Sequence, residues 1–368
     1  MNTVYSPKKG QFAVVVEDIT EKKRQENLIR YTQRHDSLTG IPNRLYYDEK
    51  LMEFDKEEHY PLTILMLDIN GLKLINDSFG QEAGNKVIKQ VADILYKEKR
   101  HNDFIARISG DEFVVLCPSS SYDKTWQFNQ RLIEKVSHQR VNDIKYSIAI
   151  GFAIKERDDQ EIYKLVSEAE NAVHKNKIVY GQGTRSAAID SIFSTLTNKY
   201  AYEKVHSQRV AKYSKRIGQH FKLREEELNE LEVAARLHDI GKISISDDII
   251  MKAGSLNAEE WEKIKNHTVI GYQILRAADK YSNIAEYAMS HHERIDGKGY
   301  PNGLKGDDIP LFAKIIAVAD AYEAMTADRT YRNAMKQEEA IKELEKHSGT
   351  QFDESIVDVF VQKVLPNH

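Results

Sequence analysis

Two histidines stand side by side at His291 and His292, inside the stretch HHERIDGKGYP (291–301). Adjacent side chains diverge on a helix or strand, so the pair cannot share one apolar face. It suits a helix end where both rings turn toward a common centre, and a metal ion is the candidate for that centre. For these residues alone, a polar surface turn is the competing reading. Further residues of the same kind are His206 in HSQRV, His238 and Asp239 in LHDIGKI, His267 in NHTVIGY, and Asp320 in the apolar run IIAVADAYEAMTADRTYR. A carboxylate on so apolar a helix is costly to bury unless it is paired or binds metal. Imidazole nitrogens with a few carboxylate oxygens suit iron, manganese or zinc. His206, His238, Asp239, His267, His291, His292 and Asp320 are too many ligands for one tetrahedral site. The expectation is therefore two ions about 3.5–4 Å apart, able to clamp a phosphodiester and activate a bridging water.

These residues need a scaffold, and the chain is long enough to supply several. Its 368 residues suggest two or three domains. At 41% apolar and 30% charged, it can build cores and is not wholesale disordered. A net charge of -4 gives no sign of a DNA-binding or membrane-surface protein. Cys117 is the only cysteine, which excludes an intrachain disulfide. No apolar run reaches membrane-span length, and MNTVYSPKKG lacks a signal-peptide core, so a cytoplasmic, bacterial setting is expected.

The pattern predicts a short strand over 11–19 and then a charged helix with Thr20 as its N-cap. This pair resembles the last strand and signalling helix of a PAS domain, so residues 1–35 read as a PAS-tail-like linker; an ordinary N-terminal arm is the alternative. From 36 to 183 helical and strand periods alternate. LTILMLDI (62–69) has the nearly continuous apolar run of a buried strand. A helix pair follows, broken near Gly80, then a hairpin through Ser109-Gly110-Asp111, a strand over 146–154 and a helix. Beyond Thr184 apolar residues recur three and four apart, predicting an all-helical region behind a boundary near 185–190. The expected fold class is thus multidomain, α/β followed by all-α.

HDIGK and HHERIDGKGYP resemble the signatures of the HD-GYP family, a branch of the HD phosphohydrolases, over roughly residues 187–368. The resemblance implies hydrolysis of cyclic di-GMP to pGpG or on to GMP. It implies two divalent ions, iron or manganese, on the seven ligands named, with Asp239 as the bridge. Lys242, Arg329 and Arg332 are the implied phosphate or water contacts beside Asp239. Asp296, Gly299, Tyr300 and Pro301 belong to the implied substrate loop. Some members hold a third metal with a glutamate four residues before the first histidine; here that position is Tyr202, with Glu203 one residue off.

DSLTGIPNR (36–44), LDINGLKLINDSFGQEAGN (67–85) and RISGDEF (107–113) resemble the GGDEF family, which condenses two GTP into cyclic di-GMP. The resemblance implies Mg²⁺ held by Asp68, the Ile69 carbonyl and Asp111 with Glu112 beside them, guanine read by Asn76, and phosphate met by Lys177. It also departs from the family. Asn85 replaces an aspartate that accepts from guanine, Gln81 replaces a histidine, and Gly181 stands where a phosphate-binding arginine is expected. Losing a charge-assisted clamp costs roughly a few kcal/mol, enough to weaken cyclase activity. Five residues before SGDEF, Arg100 and Asp103 match the family's product-inhibition site; a surface ion pair is the plain alternative.

The sequence therefore reads as a PAS-tail-like segment (1–35), a GGDEF domain (36–183) that binds GTP with Mg²⁺ as a regulator, a connecting helix (184–200), and an HD-GYP phosphodiesterase (201–368), expected as a homodimer. The rivals are a bifunctional cyclase and phosphodiesterase, and a non-enzymatic cyclic-dinucleotide sensor. Asn85 also opens the first domain to ATP or to a mixed cyclic dinucleotide.

Overall fold

The computed structural model describes residues 2–8, 11–16, 18–252, 254–328 and 334–367. Residues 1–69, 88–136 and 148–176 form one compact unit, and residues 70–87, 137–147 and 177–368 form another.

The first unit is organised by a four-stranded sheet in the order Phe104–Arg107, Glu112–Cys117, Leu62–Asn70, Ser147–Lys155. Leu62–Asn70 is buried along its whole length, as its nearly continuous apolar run suggests, with Thr63, Asp68 and Asn70 as its buried polar residues. It pairs antiparallel with Glu112–Cys117 from Thr63↔Cys117 to Asp68↔Glu112. Leu62, Ile64, Met66, Val114 and Leu116 pack with Leu51, Leu165 and Ala169 from the covering helices. Ahead of the sheet, Asn2–Lys8 and Gln11–Val16 form an antiparallel hairpin. The strand expected over 11–19 is thus shorter, and it has a partner that the sequence reading did not anticipate. The helix Thr20–Arg34 begins one residue earlier than a Thr20 cap would place it. Thr20 is its first helical residue, and its backbone N–H donates to Asp18 Oδ1 at 2.9 Å, so Asp18 supplies the capping oxygen.

The second unit is built on helices, and beyond residue 184 every described regular element is helical. Ala201–His220, Glu225–Leu237, His267–Arg276, Ala285–Ser290 and Leu311–Thr326 enclose a core that includes Val210, Ile217, Leu231, Ile274 and Ile316. Ala234, Ala235, Ala285, Ala288, Ala313 and Ala319 are almost fully buried, and their small side chains let these helices approach closely. Separate helices were expected on either side of the boundary near 185–190. Instead one helix runs unbroken from Ile162 to Lys199. Gly181 and Gly183 within it cost about 1 kcal/mol each against alanine. Burial of Ile189, Ile192 and Leu196 in its last turns opposes that cost. No helix among the described residues is long and apolar enough to cross a membrane.

Candidate metal centre

Two helix interiors and three helix ends bring the candidate ligands together. His206 lies on Ala201–His220, and Asp320 lies on Leu311–Thr326. His238 ends Glu225–Leu237, Asp239 follows it, and a 3₁₀ turn over Ile240–Ser244 carries Lys242. His267 opens His267–Arg276, and His291 ends Ala285–Ser290 with His292 next in the chain. The 3₁₀ turn lies hard against the His267 helix. A Cβ on Gly241 would fall 1.9 Å from the His267 carbonyl oxygen and 2.6 Å from the Gly271 nitrogen, so only glycine permits the approach.

Hydrogen bonds fix which nitrogen of each buried imidazole is protonated. His238 Nδ1 lies 2.7 Å from the Ala235 carbonyl, His267 Nδ1 2.5 Å from that of Ile264, and His291 Nδ1 2.6 Å from that of Ala288. A carbonyl only accepts, so each Nδ1 carries the proton and donates it, which leaves Nε2 as the nitrogen that can offer a lone pair to a metal. His206 does the same through a carboxylate: its Nδ1 donates to Glu323 Oε2 at 2.6 Å. The four Nε2 atoms are buried and have no hydrogen-bond partner. Orphaned acceptors of this kind are costly unless something binds them.

They face Asp239 from two sides. Asp239 Oδ2 is 3.2 Å from His238 Nε2 and 3.6 Å from His206 Nε2. Its Oδ1 is 3.2 Å from His267 Nε2 and 3.9 Å from His291 Nε2. Asp320 Oδ1 joins the first side, 3.3 Å from His206 Nε2 and 3.8 Å from His238 Nε2. Two groups of donor atoms result, each within 4.8 Å of one another: His206, His238 and Asp239, and Asp239, His267, His291 and His292. Asp239 belongs to both. Unpaired nitrogen lone pairs interleaved with carboxylate oxygens fit a pair of divalent ions.

The charges of the protein respond to this crowding. Burial opposes ionisation of Asp239, but His238, Lys242 and His206 outweigh it and hold its carboxyl well below the usual range. Burial likewise opposes the charge on Lys242, and Asp239 and Glu203 overcome it, so the ammonium is held far above its ordinary pKa. Lys242 Nζ sits 2.5 Å from Asp239 Oδ2 and 2.9 Å from Glu203 Oε1. The sequence reading gave Lys242 to phosphate or water; here its ammonium is engaged by these two carboxylates. Glu203 is buried and turned into the centre, whereas Tyr202 holds the position compared with a third-metal ligand. Burial, reinforced by His267, lowers His292 to about 3, so its ring is neutral at ordinary pH.

A loop closes one wall of the pocket. Glu293, buried, accepts from the backbone N–H groups of Asn302 at 2.7 Å and Leu304 at 3.0 Å. Arg294 grips Asp296 with two bonds of 3.0 and 2.8 Å, so Asp296 orders the turn and faces Arg294. Gly297 has φ +77°, the left-handed turn expected of it. Gly299 is needed for a different reason: a Cβ there would lie 2.5 Å from Glu293 Cα and from the Arg294 nitrogen. Tyr300, with Pro301 behind it, then tilts over His292 at a centroid distance of 4.9 Å. The hollow beside these residues measures about 480 Å³. Arg329 and Arg332 lie outside the described residues. Glu323 and Glu293 went unnoticed in the sequence. Glu323 had a signal, because it stands three residues after Asp320 on the same apolar helix.

The other predicted residues distribute over the two units. Asp68 and Glu112 are register partners on adjacent strands, and the Ile69 N–H donates to the Asp111 carbonyl at 3.1 Å. Asp111 and Glu112 thus sit at one strand end with Asp68 and Ile69. Asn76 lies on Leu72–Phe79 and Asn85 on Gln81–Glu98, both in the second unit, where Asn76 Oδ1 packs against Gly84. Lys177 lies on Ile162–Lys199. Arg100 and Asp103 close on each other, with Arg100 Nη2 2.9 Å from Asp103 Oδ1. Arg100 also lines a hollow of about 650 Å³ with Phe54, His59 and Pro118.

Residues 190–356 match the HD domain family, and residues 33–179 match the family described as diguanylate cyclase, GGDEF domain. The chain is 43% identical over 159 residues to a cyclic di-GMP phosphodiesterase of Thermotoga maritima, covering 43% of each chain. It is 39% identical over 159 residues to 3′3′-cGAMP-specific phosphodiesterase 2 of Vibrio cholerae, covering 43% of this chain and 30% of that one. It is 38% identical over 157 residues to a cyclic di-GMP phosphodiesterase response regulator of Xanthomonas campestris pv. campestris, covering 42% of each. The chain spans less than half the length of these curated relatives. HDIGK and HHERIDGKGYP thus contribute histidines to one buried centre within the region that matches the HD domain, downstream of the region that matches the GGDEF domain.

Proposed function

We propose that the helical region, residues 201–368, hydrolyses the phosphodiester of a cyclic dinucleotide, cyclic di-GMP, to pGpG or on to GMP. The observation that carries this reading is the convergence of four locked, unpartnered Nε2 atoms on the two oxygens of Asp239. His206, His238 and Asp320 would hold one ion, and His267, His291 and His292 the other, with Asp239 shared. Iron or manganese suits this donor set. When bound, such ions polarise phosphate oxygens and lower the pKa of a coordinated water. The chain's own residues do the rest. Backbone carbonyls and Glu323 aim the imidazoles. Lys242 keeps Asp239 ionised and oriented, and Glu203 neutralises Lys242 in turn. Tyr300 narrows the entrance above His292. Arg329 and Arg332 are assigned to the phosphate on motif alone.

The GGDEF region, taken as residues 36–183, is proposed to bind GTP with Mg²⁺ through Asp68, Ile69 and Asp111 and to regulate the hydrolase through the helix that ends at Lys199. Its substitutions at Asn85 and Gly181 argue against efficient cyclisation. A homodimer is part of the same reading, since cyclase-type domains act face to face; light scattering tests it.

The decisive experiment is chromatography of cyclic di-GMP and 3′3′-cGAMP after incubation with manganese- or iron-loaded protein, with Asp239→Ala as control. Linear product from the wild type alone supports the reading. Intact substrates with metal bound overturn it.

A further inference from the structure

The wall of the pocket continues outward from the metal centre as a series of rings. His292 and Tyr300 lie 4.9 Å apart at 35°, and Tyr300 meets Trp261 edge-on at 6.2 Å and 76°. All three line the same hollow, together with His291, Asp320 and Lys265. At about 480 Å³ it falls within the range of small-molecule sites, roughly 300–1,000 Å³. Trp261 stands on a short capped helix. Its helix, Ala258–Lys265, opens with a capping box between Asn257 and Glu260, and Lys252 grips the Glu260 carboxylate at 2.6 and 2.8 Å. Lys265 lies one turn further along the same face, its ammonium 2.6 Å from Glu262. Yet the Trp261 ring is not buried in the core: the residue is 46% exposed, at the mouth. A large, half-exposed indole lining this hollow is a surface suited to a flat aromatic ligand.

We propose that Trp261 is the base platform of the substrate site. One purine of the cyclic dinucleotide stacks on the indole at the mouth, and the sugar-phosphate ring reaches inward past Tyr300 to His291, His292 and Asp320. The Lys265 ammonium, at the same rim, faces the ring's second phosphate. This rests on the phosphodiesterase reading and names its recognition element. Stacking makes no use of the base's hydrogen-bonding edge. Trp261 therefore supplies affinity for purines in general, and cyclic di-GMP and 3′3′-cGAMP gain equally from it.

Trp126 and Trp261 are the only tryptophans, so Trp126→Phe leaves Trp261 as the sole indole. Stopped-flow mixing of that manganese-loaded protein with cyclic di-GMP should give a saturable change in emission before turnover. Trp261→Ala should raise KM about fivefold or more for both dinucleotides, with kcat held within about twofold. Its manganese content and helical circular dichroism should match the wild type, and Trp261→Phe should recover most of the affinity. An unchanged KM in Trp261→Ala, with no saturable emission change, overturns the platform and leaves the hydrolase reading intact. A saturable emission change without hydrolysis of either dinucleotide supports the platform and removes the hydrolase reading.

Discussion

Glu323 accepts the Nδ1 proton of His206 at 2.6 Å, while the other three locked imidazoles, His238, His267 and His291, donate to backbone carbonyls. His206 is therefore the candidate ligand whose orientation depends on a replaceable side chain. Partners of this kind are worth about 10- to 100-fold in metal affinity. Glu323→Gln should weaken manganese binding by that order in a competition titration with a coloured chelator, and Glu323→Asp should weaken it less. Equal affinity in wild type and Glu323→Gln would show that packing alone aims the ring.

Lys242 stands between two buried carboxylates, Asp239 and Glu203. Removing the cation strands both charges. Breaking a buried pair from one side costs about 3–5 kcal/mol. Lys242→Met should lower metal-free stability by that order in urea unfolding, and adding Glu203→Gln should restore part of it. If the double variant is no more stable than the single one, the two charges are not coupled.

Gly299 has no room for a methyl group, because backbone atoms of Glu293 and Arg294 stand 2.5 Å from where it would go. Gly299→Ala should push the loop outward and carry Tyr300 off His292, raising KM about tenfold while the bound manganese stays at wild-type level. Loss of metal instead would mean that the loop braces the ligands as well as the substrate.

Asp36 carries a pH dependence in the first unit. Burial raises its pKa, but hydrogen bonds from Thr39 and the Arg107 guanidinium overcome this and hold it below the ordinary value. A lowered folded pKa means that the stabilisation is complete above about pH 4 and disappears as pH falls through the folded value. Asp36→Asn should therefore cost about 1 kcal/mol at pH 7, a figure reduced for solvent screening. The gap to wild type should narrow in denaturation series taken below pH 4. A gap independent of pH would assign the cost to shape and not to charge.

Most of the candidate ligands were legible because they stand in short motifs at helix ends, whereas His206 and Asp320 lie within helices. HDIGK combines a helix C-terminus with a tight turn, and HHERIDGKGYP combines another with a loop. The residues that support them were harder to read. Glu293 serves amides at Asn302 and Leu304, nine and eleven residues away, which no local pattern announces. Lys242 looked like a free cation, since its pairing with Glu203 spans 39 positions. In the fold, apolar periodicity exposed the buried strand Leu62–Asn70 and the helical half. It missed Asn2–Lys8, where charge and proline mask a strand that is held by its neighbour. It also set a boundary near 185–190 within what is one helix, Ile162–Lys199.

Gly241 has a wider implication. Where the HDIGK turn meets the His267 helix, main chain touches main chain, with no side chain as a spacer. The separation between the two halves of the centre is thus gauged by the thickness of the polypeptide, which does not vary with sequence. Donors on either side can be exchanged and the gauge survives. A single methyl group at Gly241 would reset it, and with it the span over which one phosphate can be held from both sides.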